Sequence, residues 1–155
     1  MKTLHFEHSV YIQRPKSEVF AYLSDFNNYH HVFSANINSK QTSEGPVQPG
    51  TTMRNLAKFL WKNMEEHFVV VDYEPGKRIF KKSLPGSTFY TTDEMLFEEE
   101  NGQTKLTVKV YAEITGFMKL FAGAIRKKVA SILVKDLDNF RDKMNAHREI
   151  YTNKK

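Results

Sequence analysis

The sequence has no cysteine, which excludes disulfides, thiolate metal sites and a cysteine nucleophile together. It has no apolar run long enough to span a bilayer, and its opening MKTLHFEHSVYIQRP carries Glu7 and His8 where a secretory signal needs unbroken apolar residues. A soluble, cytoplasmic protein without stable membrane insertion is the expectation. Glycine is scarce, with seven copies spread over turns and none in a GxGxxG array, so no glycine-rich loop is available to cradle phosphate. A GxSxG elbow is also missing: Ser24, Asp25 and His30 or His67 supply the residue types of a hydrolytic triad without its local signature. Dense charge of one sign is limited as well. The formal charge of +5 admits anionic partners, but the densest run, Arg126-Lys127-Lys128, falls in a helical pattern where a solvated face accounts for it, so nucleic acid is not the expected partner.

What is present is a surplus of rings and clear punctuation. Phe occurs 12 times and Tyr 7 times among 155 residues, enough apolar payload for one core, and the length suits one domain, placed at residues 1–150 with 151–155 as a tail. Pro49-Gly50, Pro75-Gly76, Pro85-Gly86 and Asn101-Gly102 are turn dipeptides, because Pro fixes φ and Gly accepts the positive φ that follows, while Asn-Gly suits a two-residue hairpin.

Between these turns the pattern is strand-like. Residues 87–100, STFYTTDEMLFEEE, and 103–115, QTKLTVKVYAEIT, flank the Asn-Gly pair. The second alternates Leu106, Val108, Val110, Ala112 and Ile114 against Lys105, Thr107, Lys109, Tyr111 and Glu113. Upstream, TLHFEHSVYI, NINSKQTSE and KRIFKKSL read as strands, and residues 51–74 are long enough for two strands with a bend near Lys62-Asn63. After Gly116 the period changes. Leu120, Phe121, Ala124, Ile125, Val129, Ile132, Leu133, Leu137, Phe140 and Met144 recur at three- and four-residue steps, predicting one long helix from Phe117 onward. Near the start, Pro15 suits a first helical turn, Ser17 suits a cap, and Val19, Phe20, Leu23 and Phe26 share a face. The class is α+β: a strand, two short helices, a meander of strands and a long C-terminal helix, whose apolar stripe has one place to bury itself, the concave face of a strongly curved antiparallel sheet.

Ile12, Pro15, Val19, Phe20, Leu23 and Asp25 form an "I-x-x-P-x-x-x-V-F-x-x-L-x-D" opening; Gly50-Thr51, Tyr73-Glu74-Pro75 and the "G-x-T-x-L-T" of Gly102, Thr104, Leu106 and Thr107 follow. On these residues the chain resembles the START-like, or SRPBCC, superfamily and, within it, the polyketide cyclase/dehydrase and coenzyme Q-binding-like group. The resemblance implies a helix-grip (START-like, Bet v 1-like) fold, with six to seven strands wrapped around the C-terminal helix and a deep apolar cavity between them. It also implies a hydrophobic small molecule such as a lipid, quinone or polyketide-like compound as partner. No cofactor and no metal are expected. One departure weakens the coenzyme Q variant: that group favours "Y-P-x-F-x-P", and this chain has Tyr29-His30-His31-Val32-Phe33-Ser34.

The adjacent His30 and His31 project in divergent directions in any regular backbone, whereas a metal takes ligands from one face. With Asp25 they are expected to cap and pack a loop, the alternative being contact with a pocket rim. Candidate ligand-binding residues are polar and aromatic positions on strands that would wrap the cavity, namely Arg54, Trp61, His67, Tyr90, Thr92, Glu94, Tyr111 and Glu113, joined by Phe117, Met118, Phe121 and Ile125 at the start of the last helix. The strand candidates have a plain alternative as solvent-facing residues, since side chains alternate across a sheet. Phe117 to Ile125 have core packing as theirs. Met53, Met64, Met95 and Met118 suit an adaptable pocket or an ordinary core. Binding or carriage of the ligand is the leading functional expectation. Alternatives are a cyclase/dehydratase-type lyase or isomerase acting on it without metal, using a pocket carboxylate such as Glu94 or Glu113, and a protein-interaction module whose cavity is filled.

Overall fold

A computed structural model describes residues 2–59, 62–87 and 89–146. Strand β1 (Lys2–Ile12) leads into helix α1 (Lys16–Ser24), a 3₁₀ turn (Phe26–Asn28) and the one-turn helix α2 (Tyr29–Val32). Strands β2 (Asn36–Gln41), β3 (Thr52–Phe59), β4 (Lys62–Glu74), β5 (Arg78–Ser83), β6 (Tyr90–Glu100) and β7 (Gln103–Ile114) follow, then a 3₁₀ segment (Gly116–Phe121) and helix α3 (Ala122–Ala146). All seven strands form one antiparallel sheet in the order β1-β7-β6-β5-β4-β3-β2.

Turn chemistry sets the register. Asn101 (φ 54°) and Gly102 (φ 77°) both take positive φ, the backbone of a two-residue hairpin whose twist matches that of its strands, so Glu100 pairs with Gln103 and the ladder runs without interruption to Tyr90 opposite Glu113. Register shifts between Val70 and Asp72 and between Asn36 and Asn38 add local twist, which helps the sheet curl.

Helix α1 starts at Lys16 with Pro15 as its cap residue and no side-chain cap; the cap expected of Ser17 does not form, because Ser17 lies inside the first turn. Val19, Phe20 and Leu23 are buried, and Phe20 meets the Phe97 ring edge-on at 4.9 Å. Asp25 stops the helix. Its carboxylate accepts the Asn27 backbone N–H (3.1 Å) and side-chain amide (3.0 Å), opening the 3₁₀ turn that carries the fully buried Phe26.

The last helix differs from expectation at its start. Residues 116–121 form a 3₁₀ segment with no buried side chain, and regular α-helix begins only at Ala122. Short 3₁₀ pieces are common at helix ends, and without a packed face nothing here favours the α-form. Further on, Leu133, Leu137, Phe140 and Met144 supply the buried stripe, and the helix lies along β1 and against α2. Side chains of α3 also reach loop backbone: Asp136 accepts the Ser34 N–H (3.0 Å) and Asn145 the Gln13 N–H (2.9 Å). Met53, Met64 and Met95 are core residues.

Candidate functional site

Pairing register and burial together define the two faces of the sheet. Leu4, Phe6, Val10 and Ile12 of β1 are buried, and their partners Ala112, Val110, Leu106 and Thr104 share that face. Followed across the sheet, the same face carries Asp93, Met95 and Phe97 of β6, Ile79 and Lys81 of β5, Phe68 and Val70 of β4, and Met53 and Asn55 of β3. This is the concave face.

Seven candidate residues lie on the other side. Arg54 and His67 are cross-strand neighbours facing outward, with Glu65 3.4 Å from Arg54 Nη1 and 3.9 Å from His67 Nε2. Tyr90 pairs with Glu113 and Thr92 with Tyr111, and the Tyr111 ring stacks on His5 with centroids 4.5 Å apart. Glu94 forms an ion pair with Arg78, which also binds Asp72. The register therefore corrects the expected inward orientation of Arg54, His67, Tyr90, Thr92, Glu94, Tyr111 and Glu113. A signal for this existed. The alternation in β7 puts Tyr111 and Glu113 on the lysine-bearing side, and counting back through the two-residue turn places Thr92, Glu94 and Tyr90 on that side too. Trp61 lies outside the described residues.

The inward polar residues are their sequence neighbours. Lys81 is 1% exposed, its Nζ paired with Asp93 Oδ2 and 4.5 Å and 4.6 Å from the ring centroids of Tyr29 and Phe68. Burial pushes the lysine pKa down, but the Asp93 carboxylate and the Tyr29 hydroxyl outweigh it and hold the ammonium well above its ordinary value. Burial raises the Tyr29 pKa in turn, with Lys81 acting against it. One strand over, Ser39, Asn55 and Glu66 form a buried row across β2, β3 and β4, in which Asn55 Oδ1 has no hydrogen-bond partner among the described residues. Lys81 and Asp93 were hard to read from sequence because KRIFKKSL and YTTDE carry polar residues on both faces.

His30 packs on this row. Ser39 Oγ accepts its backbone N–H (2.9 Å) and lies 2.8 Å from its Nδ1, while the His31 ring stands 4.0 Å away, centroid to centroid, so the two imidazoles pack together rather than diverging as expected. Burial lowers the His30 pKa, and the adjacent His31 lowers it further. Among the described residues no group of three metal-ligating side chains comes together.

An apolar pocket opens near the start of α3. It has a volume of about 550 Å³ and lies between the 3₁₀ segment, the first half of α3 and the β2–β3 side of the sheet. Phe117, Met118, Phe121 and Ile125 line it, with Val129 and Ile132 one and two turns along. Among the described residues its charged lining is Lys58 and Lys128, with no carboxylate. An apolar wall with a few charged groups is the usual make-up of a site for an amphipathic small molecule.

Comparison with known proteins agrees with this architecture. The profile of a family described as polyketide cyclase/dehydrase and lipid transport matches residues 3–145. No curated protein sequence matches the chain. Among solved structures, the chain superposes on the Zhui aromatase/cyclase of Streptomyces sp. R1128 with a TM-score of 0.70 at 17% identity, covering 96% of this chain and 94% of that one. It superposes on a START superfamily protein of Mycobacterium smegmatis at 0.69 and 14% identity, covering 90% and 98%. A protein of Thermus thermophilus gives 0.78 at 15% identity, covering 94% and 99%. At these identities the likeness is one of fold, and that fold is the helix grip.

Proposed function

We propose, from the premise that this chain belongs to the polyketide cyclase/dehydrase and lipid transport family, that it binds a hydrophobic or amphipathic small molecule, a lipid, quinone or polyketide-like compound, in the space between sheet and C-terminal helix, acting in the cytoplasm. The observation that carries this reading is the apolar pocket of about 550 Å³ walled by Phe117, Met118, Phe121 and Ile125. Burial of apolar ligand surface would drive binding. At roughly 25 cal/mol per Å², hiding about 200 Å² of hydrocarbon contributes about 5 kcal/mol before the cost of immobilising the ligand.

A cyclase or dehydratase is the second reading, favoured by Lys81, Asp93 and Tyr29 gathered on the concave face. Binding ranks ahead because Lys81 is sealed under Tyr29 and Phe68, and none of the three lines the pocket. A protein-interaction module with a filled cavity fits less well with so large an unfilled space.

The test is native mass spectrometry of protein purified gently from its own cells, with released small molecules identified. A co-purifying compound at near-unit stoichiometry is the expected result. A protein that carries no added mass, and gains no thermal stability from a panel of fatty acids, quinones and aromatic polyketides, would refute it.

A further inference from the structure

The 3₁₀ segment leading into α3 holds the most anomalous surface among the described residues. Phe117 is 72% exposed, Leu120 84% and Phe121 53%, three large apolar side chains within five positions. Single exposed apolar residues are ordinary, but a contiguous protruding set marks a contact site. Along this stretch of chain the charge is one-sided. From Thr115 to Lys135 there is no Asp or Glu, while Lys119, Arg126, Lys127, Lys128 and Lys135 are all exposed and, among the described residues, none of them enters an ion pair. Lys58 joins them from β3, sharing the pocket wall with Phe117, Phe121 and Lys128. The chain's 18 carboxylates all lie elsewhere in the sequence.

We propose that this tip docks onto the surface of an anionic lipid bilayer, with Phe117, Leu120 and Phe121 entering the headgroup boundary and the surrounding cations meeting lipid phosphates. Nucleic acid offers the negative charge but no hydrocarbon to receive Leu120, the most exposed of the three. A bilayer offers both. The attachment is peripheral and reversible: each Lys or Arg near an anionic membrane strengthens it about fivefold, and full burial of one leucine adds about tenfold or more. This goes beyond the ligand-binding reading and does not depend on it.

Co-sedimentation of the intact protein with phosphatidylcholine vesicles, with and without phosphatidylglycerol, tests the proposal. Two variants accompany it, Leu120→Ser and the double substitution Lys119→Gln/Lys127→Gln. All three positions are exposed and none lines the pocket, so folding is checked simply by confirming an unchanged melting temperature. The expected result is binding to phosphatidylglycerol-containing vesicles that weakens at high salt, falls about tenfold or more in Leu120→Ser, and falls about 20-fold in the double variant. Failure to bind either vesicle would overturn the proposal, as would equal binding to neutral vesicles at all salt concentrations. Vesicle binding that neither variant reduces would overturn it too, because another surface would then be responsible. If the tip instead covers itself with a second copy or an acidic protein, Leu120→Ser will dissociate that complex and vesicles will not sediment the parent.

Discussion

Replacing Lys81 by Met keeps the length and most of the volume of the side chain under α2 while removing its charge, and it leaves Asp93 without its cation. Breaking a buried ion pair by deleting one partner costs about 3–5 kcal/mol. The Asp93 side chain is 15% exposed against 1% for Lys81, so water recovers part of the loss and about 3 kcal/mol is expected. The Tyr29 and Phe68 rings keep a favourable neighbour, since a thioether also packs on aromatic rings. The converse change, Asp93→Leu, strands the more deeply buried charge and should cost about 4 kcal/mol or more. Replacing both together should fall within about 1 kcal/mol of the parent, because a buried pair exchanged for apolar residues is often neutral or better. Urea unfolding followed by circular dichroism reads all three: with a slope of about 2 kcal/mol per M, Lys81→Met lowers the midpoint by about 1.5 M. Alkali gives an independent check. The folded-state pKa values of Lys81 and Tyr29 are both raised, so their stabilisation is complete below about pH 10 and fades as pH rises above it, and Lys81→Met should flatten that alkaline loss. Single substitutions costing under about 1 kcal/mol, or a double variant equal to the sum of the singles, would refute the picture of a sealed, mutually dependent pair.

Three further outcomes are expected. Leu137→Ala, at a fully buried position in the α3 stripe, should cost about 2–5 kcal/mol in urea unfolding. Ile132→Trp, which pushes an indole into the pocket, should weaken binding of a fluorescent hydrophobic probe about tenfold with little change in melting temperature; unchanged affinity would place the ligand elsewhere. For His30 the folded-state pKa is lowered, so its contribution is whole above about pH 6.5 and is lost as pH falls below that value. Melting temperatures should therefore drop on acidification more steeply for the parent than for His30→Asn, and equal slopes would argue against the assignment.

The elements were legible because punctuation and period agree. Asn101-Gly102 announces the β6–β7 hairpin, the even residues from Leu106 to Ile114 announce a one-sided strand, and Leu133, Leu137, Phe140 and Met144 announce α3. Orientation was less legible where both faces of a strand are polar: in YTTDE nothing local separates Thr91 and Asp93, which face the helix, from Thr92 and Glu94, which do not. Lys81 is a stronger case, because a lysine in a charged stretch reads as solvent-facing, and only the carboxylate of Asp93 and the rings of Tyr29 and Phe68, all remote in sequence, make its burial tolerable.

The pairing of β1 with β7 has a consequence in time. The two strands lie some hundred residues apart in sequence, yet β1 pairs with β7 from Lys2 to Ile12 and packs against α3. At a synthesis rate of about 5–20 residues per second, Leu4, Phe6, Val10 and Ile12 wait on the order of 5–20 s for their partners to emerge. During that interval the β1 ladder is an open template, and such long-range closure is intrinsically slow. A nascent chain of this protein is therefore most exposed to misassembly, and most in need of a chaperone, before Ile114 has left the ribosome.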